Sequence, residues 1–338
     1  MKSQSKFDLM KWLHVFVWIY FTLIFAWALA HFLLGDHPWW MFALNALSFY
    51  GFVPWLAVLP LAWRARRRAT WMGTLLVFLL AAFLYGKVYI PWRVGNVPAG
   101  QSLTVMIYNV LGYNWHTQEV TDAILASGAD VVALQELNPQ VAKAIRENLS
   151  AVYPYQQLDG RDDVFGSGVI SRYPLHLTDE KLPGGWVGTP QILTLTVNGK
   201  SITLLNAHTF ASHPDKPEIM EAAIAERERQ ARDIRDFASR HPEPLIVTTD
   251  LNSTPQNTTH QIITSILADS WLEAGWGPGN TFPNIPGRGA RPGMPLWLIR
   301  IDYIFHSPQL RAVDAQIGPW DGYSDHRPVI ARLVLMGS

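Results

Sequence analysis

The stretch GYSDHRPVI, residues 322–330, places Ser324, Asp325 and His326 side by side. These are the residue types of a hydrolase triad, yet three consecutive residues cannot form one. A triad needs hydroxyl, imidazole and carboxylate in a line, each within hydrogen-bond reach of the next, whereas neighbours in extended chain point to alternating faces. The segment PVIARLVL that follows alternates and is rich in branched side chains, the pattern of a strand. SDHRP is then a loop that delivers His326 to a strand end, and the partners of this histidine must come from elsewhere in the chain.

Junctions of the same kind recur upstream. LTVMIYN (103–109) reads as a strand ending at Asn109, and VVALQEL (131–137) as a buried strand ending on the carboxylate Glu136. SGVISRYP, ILTLTV and SITLLNAHT are successive strands, the last carrying Asn206 and His208. LIVTTDLN (245–252) terminates in Asp250 and Asn252, and IRIDYIF holds Asp302 inside an otherwise apolar run. Between them, TQEVTDAILASG (117–128) has helical spacing and a glycine stop, NPQVAKAIRENLS has proline in its first turn, and a long amphipathic helix runs from about Lys216 to Arg240. A single aspartate at a strand end is ordinarily a cap or turn residue. Six such positions (Asn109, Glu136, His208, Asp250, Asn252 and His326) are harder to explain as caps. In layered α/β folds the strand ends of one edge converge, and the loops there build sites.

The residue types narrow the chemistry. Asparagine and glutamate offer oxygen, suited to Mg²⁺, with Mn²⁺ the other candidate, and unsuited to a dedicated zinc site. The chain has no cysteine, so disulfides, thiolate catalysis and cysteine-held zinc are excluded. Among its eleven histidines there is no HxxxH or HExxH arrangement, and no GxxxxGK[ST] loop for a nucleoside triphosphate is present. A carboxylate-held metal, an Asp/His pair to activate water, and amide and imidazole donors for phosphoryl oxygens together make a phosphate-ester hydrolase.

The first ninety residues are a different kind of sequence. Three charge-free stretches, at about 12–34, 39–63 and 69–90 once the last is continued past Lys87, predict three transmembrane helices. Aromatic residues crowd their ends, among them Trp12, Trp39, Trp40, Trp63, Trp71 and Trp92. Lys2, Lys6 and Lys11 precede the first stretch, Arg64, Arg66, Arg67 and Arg68 join the second to the third, and GDHPW between the first two carries no Lys or Arg. The positive-inside rule then puts the N-terminus in the cytoplasm and everything after Trp92 outside it. Trp18, Trp27, His31 and Asn45 read as packing or interfacial residues within the membrane. Residues 1–93 form this region, 94–101 a Gly/Pro linker, and 102–338 the second domain. Of the 338 residues, those from 94 onward hold eighteen Lys/Arg against twenty-five Asp/Glu, a net of −7, which is a poor footprint for a general nucleic-acid binder.

In their order, YNVLGYN, LQEL, SGVISRYP, NAHT, TTDLN, RIDYIF and SDHRP resemble the motifs of the endonuclease/exonuclease/phosphatase superfamily across roughly residues 102–335. The resemblance implies a four-layer α/β sandwich, two packed β-sheets flanked by helices, with the site at one edge. It also implies roles. Glu136 with Asn109 is similar to the metal site, and Asp325 lies near the metal side. Asp250 resembles the residue that orients or activates water, Asn252 a ligand of phosphoryl oxygens, and His208 the phosphate-contacting histidine. His326 resembles the catalytic histidine, with Asp302 as the carboxylate that orients its ring. The family spans many substrates, and NAHT leans away from the abasic-site endonuclease branch, where a tyrosine is typical. The expected substrate is a phospholipid-like ester and the expected partner the lipid bilayer, with no stable nucleic-acid partner. An extracytoplasmic nuclease and a catalytically silent binding module are the alternatives. Trp186, Trp276 and Trp297, each set near Gly and Pro, are candidates either to dip into the membrane interface or to cap the core.

Overall fold

The computed structural model describes residues 2–65, 67–90, 100–211, 217–283 and 297–336. The chain divides into two compact units, Met1–Tyr89 and Ile90–Ser338. The first is helical: α1 (Lys2–Leu34), α2 (Trp39–Gly51), α3 (Trp55–Ala65) and α4 (Arg68–Tyr89). Lys11–Leu34 and Arg68–Tyr89 are long and apolar enough to cross a membrane, with mean hydropathy 2.0 and 1.8. The middle stretch departs from the single helix expected over 39–63, because α2 and α3 are bent by 52° to one another. Pro54 has no N–H and disfavours helical geometry at Val53. The N–H groups of Phe52 and Val53 accordingly turn back to the carbonyls of Phe49 and Tyr50, a tighter winding that ends α2.

Inside this unit, Gly73 of α4 lets the Phe21 ring of α1 approach so closely that a Cβ there would lie 2.4 Å from a ring carbon. Phe21 packs in one apolar cluster with Val17, Ile24, Val58 and Val77. Several polar side chains between α1 and α2 satisfy one another, which offsets the cost of their burial. Asn45 Oδ1 accepts from Trp27 Nε1 at 3.2 Å and His31 Nδ1 at 3.1 Å, while its amide donates to Asp36 Oδ1 at 2.9 Å. Trp18 Nε1 donates to His14. Trp27, His31 and Asn45 are thus packing groups, as the sequence suggested. Arg66, Trp92 and most of the 94–101 linker lie outside the described residues.

The second unit holds two six-stranded sheets. One has the order β11 (Leu310–Ile317), β12 (Val329–Leu335), β1 (Ser102–Asn109), β2 (Val131–Gln135), β4 (Ser167–Ser171), β3 (Tyr155–Asp159). The other runs β5 (Leu175–Leu177), β6 (Gln191–Val197), β7 (Lys200–His208), β8 (Leu245–Asp250), β10 (Asp302–His306), β9 (Ala268–Asp269). The two parallel pairs, β1 with β2 and β7 with β8, are central, so their C-terminal ends share an edge within each sheet.

Side-chain alternation builds four layers. Leu103, Val105 and Ile107 of β1 face the second sheet, packing with Leu204 of β7, Ile246 of β8 and Ile304 of β10. Met106 and Tyr108 point the other way, into an apolar layer shared with α5 (Thr117–Ser127) and α6 (Pro139–Leu149). Leu205, Val247, Tyr303 and Phe305 likewise face outward, against Ile234 and Phe237 of α7 (Pro217–Arg240) and Ile263 of α8 (Thr258–Thr264). A short α9 (Ser270–Ala274) follows β9, capped by the Asp269 carboxylate. Asn138 caps α6 through Val141 N at 2.8 Å, an interaction that contributes about 1 kcal/mol. This is the four-layer α/β sandwich expected. The helix predicted from Lys216 begins among described residues at Pro217.

Candidate functional site

Continuing the alternation to the strand ends explains why a polar cluster forms between two apolar sheets. Asn109, Gln135, Asn206, His208, Thr248, Asp250 and Asp302 fall on the same alternate positions as the inter-sheet residues Ile107, Ala133, Leu204, Ile246 and Ile304. The inner face is therefore apolar along most of its length and polar at one edge. Register then sets neighbours: His208 pairs with Asp250 across β7 and β8, and Asp250 with Asp302 across β8 and β10. IRIDYIF held Asp302 inside a strand, but the structure makes it the first residue of β10, which puts it on this edge.

The answer to the juxtaposed Ser, Asp and His is geometric. His326 Nδ1 lies 2.9 Å from Asp302 Oδ2, and both residues are buried. On its other side, His326 Nε2 is 3.8 Å from Asp250 Oδ2. Burial alone would favour the neutral ring, but the carboxylates of Asp302 and Asp250 outweigh it and lift the His326 pKa well above the ordinary histidine value. Burial also raises the Asp302 carboxyl, against the pull of His326. Neither Arg300, two residues before Asp302, nor Arg327, next to His326, competes for this carboxylate. Arg300 is paired with Asp269 at 2.9 and 3.1 Å, and the Arg327 guanidinium stacks over Trp297 and donates to the Asn280 carbonyl.

Ser324 has a role that the sequence did not reveal. Its hydroxyl donates to the Asn109 carbonyl at 2.7 Å and accepts from His326 N at 3.1 Å, fastening the histidine loop to the end of β1. No feature of SDHRP signals this, because it depends on β1 and β12, the first and last strands, being neighbours.

On the other side of Asp250, Asn109 Nδ2 donates to Asp250 Oδ2 and to Glu136 Oε1, both at 3.0 Å, and Gly112 N donates to Glu136 Oε2 at 3.0 Å. Gly112 is needed for this approach: a Cβ there would come within 2.8 Å of the Asp163 carbonyl. Asn109 was expected as a metal ligand; its amide nitrogen faces the carboxylates while its oxygen accepts from Leu111 N. Burial pushes the Asp325 carboxyl up to about 6; His326 draws it down and the Glu136 charge pushes it up again. Asn252 N donates to Asp250 Oδ1 at 3.1 Å, and Asn252 Nδ2 lies 3.3 Å from His208 Nε2, which is 3.5 Å from Asp250. Leu111, Glu136 and Asn252 all adopt left-handed backbone, with φ of 65°, 53° and 48°. That conformation is costly for residues other than glycine and concentrates at functional sites.

The predicted residues are thus brought together: Asn109, Glu136, His208, Asp250, Asn252, Asp302 and His326 form one linked network, with Asp325 electrostatically coupled to it. Among the described residues, Asp250, Asp302 and His326 offer one ligand atom each within 4.8 Å of one another, a group that could hold a metal ion. The His326 Nδ1 is already bonded to Asp302, and the carboxylates of Glu136 and Asp325 interact with one another beside this trio. The Trp-bearing loops divide. Trp186 caps the core with its Nε1 on the Pro183 carbonyl, Trp297 packs edge-on to Trp320, and Trp276 is 72% exposed. Residues 291–296 of the third loop lie outside the described residues.

The model of the Endonuclease/Exonuclease/phosphatase family matches residues 106–326, from within β1 to His326. The chain belongs to that family. Its members are hydrolases of phosphoester bonds. A crystal structure of TDP2 from D. rerio, complexed with a single-strand DNA product, is 16% identical with a TM-score of 0.56, covering 69% of this chain and 99% of its own. A truncated Caenorhabditis elegans TDP2 is 17% identical (TM-score 0.53, 69% of this chain, 98% of its own). A family protein from Bacteroides thetaiotaomicron is 18% identical (TM-score 0.51, 70% and 99%). These likenesses show the shared fold. No curated protein matches the chain.

Proposed function

We propose that this protein is a membrane-anchored, divalent-metal-dependent phosphodiesterase that hydrolyses a phospholipid-like ester by in-line attack of water. The observation that carries the reading is the Asp302–His326–Asp250 line, at 2.9 and 3.8 Å, set beside the oxygen-bearing flank of Glu136 and Asp325.

The donor set fits a hard divalent cation. Burial and the Glu136 charge both make Asp325 harder to ionise, and among the described residues neither carboxylate forms an ion pair with a lysine or arginine. Mg²⁺ or Mn²⁺ held by these two, with Asn109 fixing Glu136, would supply charge neutralisation for the phosphoryl oxygens. The chain's own groups do the rest. Asp250, positioned by the amides of Asn109 and Asn252, orients water and accepts its proton. Protonated His326, Asn252 Nδ2 and His208 present donors to the oxygens on which negative charge develops. Asp302 keeps the ring oriented and charged.

Membrane anchoring rests on the apolar helices, and its sidedness on the bent α2–α3 pair. If the pair crosses, Arg64–Arg68 shares a side with the N-terminal lysines, as the positive-inside rule favours, and the catalytic unit lies outside the cytoplasm. A tether to a bilayer keeps lipid head groups at high effective concentration. A second reading, an extracytoplasmic nuclease, draws on the likeness to a TDP2 crystallised with a DNA product; the acidic balance of the catalytic unit argues against it. Assaying the purified full chain on a phospholipid diester and on DNA side by side, each with and without EDTA, decides. EDTA-sensitive lipid turnover is the expected result, and turnover confined to DNA would establish the nuclease.

A further inference from the structure

We infer that Asp321 is a positioning residue that clamps the two loops of the site into one body, through Asn114. The inference rests on the phosphodiesterase reading for its kinetic consequence, but its geometry is independent of any substrate.

The two loops come from opposite ends of the domain. The first, residues 110–116, follows β1 and carries Gly112, whose N–H holds Glu136. The second, residues 318–328, precedes β12 and carries Asp325 and His326. Asp321 lies between them, buried, and no lysine or arginine among the described residues is paired with it. Its Oδ1 accepts from the N–H groups of Tyr323 and Ser324, both at 3.0 Å, which closes a turn within its own loop. Its Oδ2 accepts from Asn114 Nδ2 at 2.6 Å, which crosses to the other.

Asn114 is equally committed on its side. Its Nδ2 also donates to the Val110 carbonyl, its Oδ1 accepts from His116 N, and its carbonyl accepts from Asn138, the cap of α6. The chain of bonds runs from α6 through Asn138, Asn114 and Asp321 to Ser324, and Ser324 holds both Asn109 and His326. A buried carboxylate held by N–H donors from both loops, with the Tyr108 hydroxyl of β1 also against it, makes strong, directional bonds, so Asp321 fixes the distance between the Glu136 side and the His326 side. The reaction needs both sides on one phosphoryl group. A small change in that distance lowers turnover without removing any reacting group.

An amide swap tests this. In Asp321→Asn the remaining oxygen can keep the Tyr323 and Ser324 bonds, but an NH₂ then faces the NH₂ of Asn114, so the cross-loop link alone is lost. Asn114→Asp breaks the same link by setting two carboxylates together, and also gives up the donation to the Val110 carbonyl. The double variant Asn114→Asp/Asp321→Asn restores a donor opposite an acceptor with the direction reversed. The full-length protein in detergent is followed by amide hydrogen exchange of peptides spanning 110–116 and 320–327, and by turnover of bis(4-nitrophenyl) phosphate with Mg²⁺. Each single variant is expected to speed exchange in both loops and to lower kcat on the order of tenfold or more, with little change in KM. The double variant recovers the cross-loop part of both and exceeds Asn114→Asp, while the bond to the Val110 carbonyl stays lost. Unchanged exchange in 110–116 on substituting Asp321 would overturn the clamp, and so would faster exchange with an undiminished kcat, or a double variant no better than Asn114→Asp alone. If the unmodified protein fails to turn over the diester, the phosphodiesterase reading fails, while exchange still decides whether the loops are coupled.

Discussion

Replacing Asp302 by asparagine removes a charge from the site while keeping its shape, and the structure says how much that should matter. The carboxylate lies 2.9 Å from His326 Nδ1. A charge about 4 Å from the imidazolium centre interacts by about 4 kcal/mol at an effective dielectric of 20. Asp250 remains on the far side of the ring, 3.8 Å from Nε2, so the ring keeps part of its stabilisation. A net loss of about 2 kcal/mol corresponds to roughly thirtyfold in kcat. The His326 pKa, held well above the ordinary value by these carboxylates, falls in Asp302→Asn. The ring then loses its proton at lower pH, and the alkaline limb of the rate profile moves down. His326→Ala should cost more, on the order of a hundredfold or beyond. Because Asp302 acts through the ring, the double variant should be within about threefold of His326→Ala. Asp302→Asn removes one partner of a buried pair, so it should melt somewhat lower than the parent while still folding. Kinetics on a generic phosphodiester, with thermal melts of the same preparations, read all three effects. Losses that multiply in the double variant, or a lowered melting temperature with an unshifted pH limb, would mean that Asp302 is structural.

Further outcomes are expected elsewhere. Burial acts to raise the Asp269 carboxyl, but Arg300 and His260 outweigh it and hold it well below the usual range. Its stabilisation is therefore present above about pH 4 and is lost as pH falls further toward the folded-state value, so Asp269→Asn should flatten the acid side of a melting-temperature profile that is steep in the parent. Gly73→Val should loosen the α1–α4 contact, because its Cβ would meet the Phe21 ring, and the detergent-solubilised chain should unfold at lower temperature; an unchanged melt would show that this packing carries no stability. The chain has no native cysteine, so single cysteines at Arg67 and Lys200 can be labelled cleanly. An impermeant maleimide added to intact spheroplasts should reach position 200 and not position 67, and the reverse would place the catalytic unit in the cytoplasm.

How legible all this was in the sequence depended on the range of the interaction. Strand ends at Asn109, Glu136 and Asp250 could be read because an apolar run stopping on a polar residue is a local signal. Alternation then dictated which of them face inward, and the seven ordered motifs supplied the family. The bend at Pro54 was also written locally, in Gly51–Pro54, but a count of apolar residues over 39–63 passes through it. The strands Tyr155–Asp159 and Leu310–Ile317 were overlooked, the first because half-exposed polar residues dominate it. What could not be read was contact across the fold: the bond from Ser324 to Asn109, the amide direction of Asn109, and the Asp302–Asp250 register all follow from strand adjacency that no local pattern encodes. Arg300, a neighbour of Asp302 in sequence, proved to belong to Asp269 instead.

The central claim is that a divalent metal on the Glu136 side and the Asp302–His326 pair act together on one phosphodiester. The most direct measurement is turnover of a phosphodiester by the metal-stripped full chain as Mg²⁺ is titrated back, for the parent and for Glu136→Ala, in ¹⁸O-enriched water. The account predicts no turnover without metal, saturable recovery in the parent, a loss of orders of magnitude in folded Glu136→Ala, and one ¹⁸O in the phosphoryl product. Undiminished turnover by metal-free protein or by folded Glu136→Ala, or ¹⁸O found in the alcohol product, would contradict it.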